Sequence, residues 1–242
     1  MKKSLSIIIP CYNEQSCILP LFEKIEQIIS QTNEVEIVIV DNGSTDDSSK
    51  IIKEHDLFKQ NKISLLTIEE NIGYGHGIIS GLKKSSGDYM SWCHSDLEID
   101  PVYAWLAFKK HKSELFNNNL IIKGKRISRS ILDLLFTEGM SLIASIIFKT
   151  KLRDINAQPK IFSKSFFNLL INPPNDFSLD LYFLVVARYN NYSIKEFPVE
   201  VKKRISGEAK GGGGSFLNKL KLTKKTLKYI IDLKKYLKIK KI

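Results

Sequence analysis

The stretch LSIIIPCYNE at residues 5–14 decides the fold, because a continuous apolar run breaks at Pro10 into polar residues. The stretch EIVIVDNGSTD at residues 36–46 repeats that order, and apolar residues recur at helical spacing between the two. Strands that are apolar on both faces are typical of a parallel sheet covered by helices on both sides. The two stretches therefore predict a β-α-β unit.

The same alternation continues along the chain. Further strands are expected at residues 63–68 and 89–93, and further helices at residues 48–55 and 77–84. The second half of the chain is less regular. It predicts helices at residues 130–148 and 179–189 and short strands at residues 160–162 and 194–201. The glycine-rich residues 207–215 predict a mobile loop. The expected fold class is α/β, with a mostly parallel central sheet flanked by helices.

Composition limits the classes of protein to which the chain can belong. The 242 residues include 37 Lys and Arg against 26 Asp and Glu, which gives a formal net charge of +11, and 43% are hydrophobic. This composition excludes a disordered or collagen-like chain. Residues 216–242 hold ten lysines and one acid, so they carry +9 of the net charge. We expect one domain over residues 1–215 and a basic amphipathic helix over residues 216–242.

Three roles fit the basic helix. It docks its apolar side on the domain, it lies on an anionic membrane surface, or it binds nucleic acid. The first two have equal weight, and nucleic acid ranks last because the helix offers only three aromatic residues for base stacking. No stretch approaches the roughly 20 apolar residues of a membrane-spanning helix. The three cysteines show no metal-binding spacing and indicate reduced thiols. The expected location is therefore cytoplasmic, peripheral on the inner face of the cell membrane.

Polar segments follow the first, second and fourth predicted strands, which places them at the edge where such sheets bind ligands. Asp96 and Glu98 directly follow the fourth strand, where buried acids are costly unless they are paired or bound to a cation. A hard cation such as Mg²⁺ or Mn²⁺ takes one or two carboxylates and completes its shell with substrate phosphates. The segment therefore predicts a metal site that would neutralise a diphosphate.

Two further segments carry weaker signals. Asp41 begins a tight turn into a helix, a position that a capping role alone explains. Residues 71–77 contain three glycines at the start of a helix, so their backbone N–H groups are expected to face a phosphate. Their spacing is not that of a dinucleotide-binding fingerprint.

Taken together, the segments IIIPCYNE, IVDNGSTD, NIGYGHGIISGLKKSSGD and SDLE resemble the family-two glycosyltransferases of the GT-A fold. The likeness is greatest to the branch typified by dolichyl-phosphate mannosyltransferase and bacterial polyprenyl-phosphate glycosyltransferases, and it covers roughly residues 4–210. The resemblance implies a metal-dependent hexosyltransferase that uses Mg²⁺ or Mn²⁺. It would move a sugar, with inversion, from a UDP- or GDP-linked donor to a polyprenyl phosphate. The alternative acceptor is a glycan hydroxyl in cell-surface polysaccharide synthesis.

The resemblance also implies roles for individual residues. The base and ribose of the donor would be held by Pro10, Tyr12, Glu14 and Asp41. The metal and diphosphate would be held by Asp96 and Glu98. Phosphate and acceptor contacts are implied for Arg126, Arg129, Gln158 and Arg204. A lid over the donor would be formed by Arg204 and Lys210, the latter a nucleotide-binding residue. The catalytic residues would be Asp96, Arg126 and Asp180.

The sequence departs from the family at His94, where the family's Asp-x-Asp pattern begins with a carboxylate. Imidazole is a poorer ligand than carboxylate for Mg²⁺ and is tolerable for Mn²⁺. His94 therefore shifts the metal preference, leaves the metal to Asp96 and Glu98, or marks a catalytically silent relative that binds nucleotide sugars. We favour the second. A hydroxyl acceptor would also need a general base, for which Asp154 and Asp180 are candidates.

Overall fold

A computed structural model describes residues 4–127, 131–204 and 216–239 of the chain. Arg129, Lys210 and the loop predicted at residues 207–215 lie outside the described residues. The strands are β1 Leu5–Cys11, β2 Val35–Asn42, β3 Ser64–Ile68, β4 Tyr89–Trp92, β5 Leu120–Ile127, β6 Lys160–Ser163 and β7 Ser193–Glu200. The helices are α1 Gln15–Ile29, α2 Ser48–Glu54, α3 Asp56–Lys59, α4 Tyr74–Lys84, α5 Val102–Asn117, α6 Ile131–Phe148, α7 Lys164–Phe167, α8 Leu179–Tyr189 and α9 Phe216–Ile239.

The strands of the described residues form one seven-stranded sheet in the order β3-β2-β1-β4-β6-β5-β7. Strand β6 runs antiparallel to its neighbours β4 and β5, and the other six strands share one direction. The carboxyl ends of β1, β2, β4 and β5 therefore meet at one edge. The predicted α/β class with a mostly parallel sheet is confirmed. Helix α5 and strand β5 were not predicted from the sequence.

An apolar layer covers each face of the sheet, because successive residues of a buried strand point to opposite faces. In β1, Ile8 joins one layer, while Ile7 and Ile9 join the other. The layer around Ile8 is closed by α4, α6, α8 and α9, and the opposite layer is closed by α1 and α5. This double covering explains why the first strands read as unbroken apolar runs.

The basic C-terminal helix α9 docks on the domain. It packs beside α6 and buries three of its apolar side chains in the core layer, namely Ile230, Leu233 and Leu237. Lys225 of the same helix lies 2.7 Å from Asp176, an ion-pair contact with the loop before α8. The first of the three roles considered for the helix is thus observed. Across the described part of the chain, we find no helix whose length and apolar character suffice to cross a bilayer.

The docking of α9 predicts a contrast between two adjacent isoleucines. Ile230 is fully buried, whereas Ile231 is 51% exposed. Ile230→Ala should lower the free energy of unfolding by about 2–5 kcal/mol, because it leaves a cavity in the core. Ile231→Ala, the matched control, should change it by no more than about 0.5 kcal/mol. Equal, small effects in urea denaturation would show that α9 does not pack on the domain in solution.

Candidate functional site

The loops that follow β1 and β2 are joined by hydrogen bonds at the carboxyl edge of the sheet. The Thr45 backbone N–H donates to the Asn13 side chain at 2.7 Å, and the Glu14 N–H donates to the Ser48 hydroxyl at 3.1 Å. Asp41, which is buried at the end of β2, accepts the Ser44 N–H at 3.0 Å. Asp41 therefore closes its own turn and helps to shape the loop pair.

Three carboxylates converge on the guanidinium of Arg204. Its Nη2 lies 2.7 Å from Asp96 Oδ2 and 3.4 Å from Glu14 Oε1, and its Nε lies 3.3 Å from Glu98 Oε1. Arg204 belongs to the segment after β7, which is fixed beside the site because the Lys202 N–H donates to the Glu98 carbonyl at 2.8 Å. We call Glu14, Asp96 and Glu98 the acid cluster.

The pKa values of Asp96 and Glu98 are shifted in opposite directions. Burial alone would raise the pKa of Asp96, but the hydrogen bonds and charges of His94 and Arg204 outweigh burial and hold the pKa well below its usual range. Burial raises the pKa of Glu98, and the negative charge of Asp96 acts in the same direction against the opposing charge of Arg204. Of Asp96 and Glu98, Asp96 is therefore the carboxylate more firmly ionised for binding a cation.

The acid cluster fits a divalent cation in the type and placement of its donors. Asp96 and Glu98 already share one positively charged partner, Arg204. Within the described residues, no group of three His, Cys, Asp or Glu side chains is arranged to hold a metal alone. Two carboxylates are nevertheless the usual protein share of a Mg²⁺ shell that substrate phosphates complete. A cation in this place would need Arg204 to give up its contacts with these carboxylates.

A chain of polar contacts leads from the acid cluster into the interior. His94 Nδ1 lies 3.7 Å from Asp96 Oδ2, and His94 Nε2 lies 3.1 Å from the Tyr74 hydroxyl. The buried Gln158 amide donates to that hydroxyl and to Asp180 Oδ1, both at 3.1 Å. Asp180 in turn forms an ion pair with Lys160. His94, which is partly exposed, is thus the first member of a polar network that leads from Asp96 to the buried Asp180.

The ion pair between Lys160 and Asp180 is fully enclosed. Lys160 is 0% exposed and Asp180 is 2% exposed, and the Lys160 ammonium also donates to the Ala157 carbonyl at 3.2 Å. The ammonium lies 5.2 Å from the centre of the Trp92 ring. Burial lowers the pKa of Lys160, and the charge of Asp180 opposes that shift. Asp180 is therefore a structural partner in this arrangement, in addition to its predicted catalytic role.

Arg126 lies at the carboxyl end of β5 and binds Asp154. Its backbone N–H and its Nε each donate to the Asp154 carboxylate at 2.9 Å, and its Nη2 forms an ion pair with the same group. Burial would raise the pKa of Asp154, but the hydrogen bonds and charge of Arg126 lower it. A carboxylate held in this way is a weak base.

The glycines of residues 71–77 serve a purpose different from the one expected. A Cβ at Gly75 would lie 2.2 Å from the Pro174 carbonyl, and one at Gly73 would lie 2.4 Å from the Asn175 carbonyl. The His76 N–H donates to Asn175 at 3.1 Å. The expectation that this backbone faces a phosphate is therefore wrong, because the glycines let another loop of the protein approach.

The structure brings most of the predicted residues to one edge of the sheet. Pro10, near the end of β1, and Tyr12, just after it, are partly exposed and lie close in sequence to Glu14 of the acid cluster. Sequence reasoning missed Tyr74 and Lys160, which connect and neutralise the polar network. A lysine at the start of the short strand predicted at residues 160–162 was the available signal for Lys160, since a buried ammonium needs a carboxylate partner.

The chain matches known proteins over its first half. Residues 6–115 match the family described as Glycosyl transferase family 2. An undecaprenyl-phosphate 4-deoxy-4-formamido-L-arabinose transferase of Proteus mirabilis is 30% identical over 98 residues, which are 40% of this chain and 30% of that protein. Glycosyltransferase GlyA of Streptococcus pneumoniae is 36% identical over 108 residues, which are 44% of this chain and 15% of that protein. The matches thus span less than a third of either relative's length.

Solved structures resemble nearly the whole chain. Glucosyl-3-phosphoglycerate synthase of Mycobacterium tuberculosis with Mn²⁺, UDP and glucosyl-3-phosphoglycerate gives a TM-score of 0.67 at 16% identity, over 93% of this chain and 77% of that one. The same enzyme with Mg²⁺ and UDP gives a TM-score of 0.65 at 15% identity, over the same shares. At such identities the likeness concerns the fold alone, and it confirms the expected GT-A fold.

The enclosed ion pair predicts strong coupling between two substitutions. Lys160→Met and Asp180→Asn should each lower the free energy of unfolding by about 3–5 kcal/mol, because each leaves a buried charge without its partner. The double variant should lose clearly less than the sum of the two, as measured by urea denaturation. Additive losses would mean that the two side chains do not pair in solution.

Proposed function

We propose that the chain, whose residues 6–115 match Glycosyl transferase family 2, is a glycosyltransferase that transfers a sugar, with inversion, from a UDP- or GDP-linked donor to a polyprenyl phosphate. The observation that carries this proposal is the acid cluster. Two of its carboxylates, Asp96 and Glu98, lie at the sheet edge where this fold binds ligands and share one cationic partner. The negatively charged diphosphate of the donor would need a positive charge at that edge of the sheet.

The donor side of the site is the pair of loops after β1 and β2. Pro10, Tyr12, Glu14 and Asp41 are proposed to hold the base and ribose. Bound to Asp96 and Glu98, Mg²⁺ or Mn²⁺ would supply charge for the departing diphosphate. Arg204 releases these carboxylates as the donor arrives and then contacts donor phosphate, which is the proposed lid movement. Lys210 is proposed to act in the same lid.

The acceptor side is proposed to lie at the end of β5 and along residues 154–160. The phosphate oxygen of a lipid phosphate is already anionic at neutral pH, so it attacks the sugar without a general base. Both base candidates for a hydroxyl acceptor are engaged, Asp154 by Arg126 and Asp180 by Lys160. This observation favours the phosphate acceptor over a glycan hydroxyl. Arg126, assisted by Arg129 and Gln158, would orient the phosphate.

The name of one relative agrees with this acceptor, and one solved structure agrees with the donor and the metal. The Proteus mirabilis relative is named for transfer to undecaprenyl phosphate, and the Mycobacterium tuberculosis enzyme was solved with UDP and Mn²⁺. We extend these properties to the present chain as part of the proposal. His94 is assigned a positioning role, because it contacts Asp96 on one side and Tyr74 on the other.

A lipid acceptor would bring the enzyme to the inner face of the cell membrane, and two neighbouring helices suit that surface. Helix α6 exposes the aliphatic side chains of Leu142, Ile143 and Ile146, which are 61%, 37% and 67% exposed. Helix α9 packs against it and exposes Ile231 together with several lysines. Aliphatic groups insert among lipid chains while lysines meet anionic headgroups.

Substitution of Asp96 tests the donor site. Asp96→Asn should abolish Mn²⁺-assisted UDP binding in calorimetry and reduce transfer from a UDP- or GDP-sugar to undecaprenyl phosphate at least about 100-fold. Glu23→Gln, which removes an exposed acid from α1, should leave both unchanged. Full activity of the Asp96 variant would contradict the proposal. Donor binding by the unaltered protein without transfer to any acceptor would favour the silent relative.

Exposed aliphatic groups on α6 provide the membrane test. Leu142→Ser with Ile146→Ser should reduce flotation with phosphatidylglycerol vesicles at least about tenfold, because two inserting side chains are lost. Leu19→Ser with Leu106→Ser removes two exposed leucines from α1 and α5, on the other face of the sheet, and should have no effect. Equal flotation of the two variants would refute the assignment of this surface.

A further inference from the structure

A cavity of about 380 Å³ lies between β7, α8 and the segment after α6. Its wall combines aliphatic side chains from each of these elements, namely Leu152, Leu184 and Ile194, with a ring of charged groups. Its volume falls within the range of small-molecule sites. The acid cluster contributes no residue to this wall.

The charges around the cavity are strongly unbalanced. Five cationic side chains line it, against one acid, Glu196; the cations are Lys123, Lys151, Arg153, Arg188 and Lys195. Lys195 is neutralised by Glu114 at 2.8 Å, and Lys123 lies 3.6 Å from Glu196. Lys151, Arg153 and Arg188 form no ion pair with any residue in the described ranges. Several positive charges that line one cavity create a positive potential that attracts anions.

Arg188 supplies the sharpest indication of a ligand. Its Nε is buried, yet it finds no hydrogen-bond acceptor among the residues that the structure describes. An unsatisfied buried donor is costly, and most such groups in proteins have a partner. The side chain lines the cavity from the last turn of α8. Because this Nε is closed off from solvent, Arg188 would turn it toward the cavity to donate to an oxygen-rich anion bound there.

Lys123 adds a second buried cation to the same wall. It is 2% exposed, and its ammonium donates to the main-chain carbonyls of Gly124 and Asp154 at 2.8 and 3.3 Å. Burial lowers the pKa of Lys123 to about 8; the charge of Asp154 opposes the shift, and that of Lys160 reinforces it. A nearby anion would favour its charged form.

We propose that this cavity binds a phosphate group, as a phosphate ester or a free phosphate. Arg153 and Arg188 offer planar guanidinium donors that match phosphate oxygens, and Lys151 and Lys123 add point charges. The site is separate from the donor site, and the inference does not depend on the proposed transferase activity. The two regions meet at Asp154, whose carbonyl binds Lys123 and whose carboxylate binds Arg126.

The NMR resonance of the Arg188 Nε–H group reports phosphate binding in the cavity. Titration of the full chain with inorganic phosphate, at constant ionic strength, should move the Arg188 Nε–H resonance in ¹H–¹⁵N spectra along a saturable curve. Arg188→Lys, which keeps the charge and removes this group, identifies the resonance. Lys151→Gln with Arg153→Gln should weaken the phosphate affinity at least about tenfold. Lys83→Gln with Lys109→Gln, which removes equal charge from α4 and α5, should leave the affinity within about twofold.

Two phosphate sources are separated in the same experiment. Saturation by inorganic phosphate or methyl phosphate identifies a free phosphate or a soluble ester. Saturation only by dihexanoyl phosphatidic acid identifies a lipid headgroup. An Arg188 resonance that none of the three probes moves, or a response equally weakened in the Lys83 and Lys109 variant, would overturn the proposal.

Discussion

Everything at the candidate site depends on the compensation of three carboxylates by one guanidinium. Glu14 and Asp96 follow the adjacent strands β1 and β4, so the parallel register itself brings negative charges together at the sheet edge. Such charges are tolerable near a protein interior only beside a cation. Arg204 supplies it from a segment that is distant in sequence. The acid cluster is therefore arranged to bind a positively charged group, whether that group is the Arg204 guanidinium or a metal cation.

The same constraint shapes the interior behind the cluster. The antiparallel strand β6 pairs Lys160 with Trp92 of β4, close to where the chain turns toward His94. An ammonium at this depth needs a carboxylate, and Asp180 in the first turn of α8 provides it. Gln158 and Tyr74 then connect Asp180 with His94. Gln158 and Asp180 are thus joined to the acid cluster in one polar network.

The N-terminal half of the fold was predictable from the sequence, because strands covered on both faces read as unbroken apolar runs. Strand β5 was missed because the buried Lys123 interrupts its apolar pattern. Helix α5 was missed although its buried residues recur at helical spacing, because the exposed Leu106 and Phe116 and the buried His111 obscure that pattern in the sequence. The residues of the acid cluster were all predicted, since polar groups after parallel strands must meet at one edge. Their partners were only partly predictable: Arg204 was expected over the donor, and its contact with the carboxylates depends on the path of the chain after β7. The Tyr74 link likewise depends on side-chain packing that no sequence spacing encodes.

We propose that the acid cluster exchanges Arg204 for a donor-bound cation. Crystals grown with UDP and Mn²⁺, measured at the manganese absorption edge, test it directly. The account predicts an anomalous peak within about 2.3 Å of a carboxylate oxygen of Asp96, with the Arg204 guanidinium moved away from Asp96 and Glu98. Bound UDP without a manganese peak at Asp96, and with Arg204 still among the three carboxylates, would contradict it.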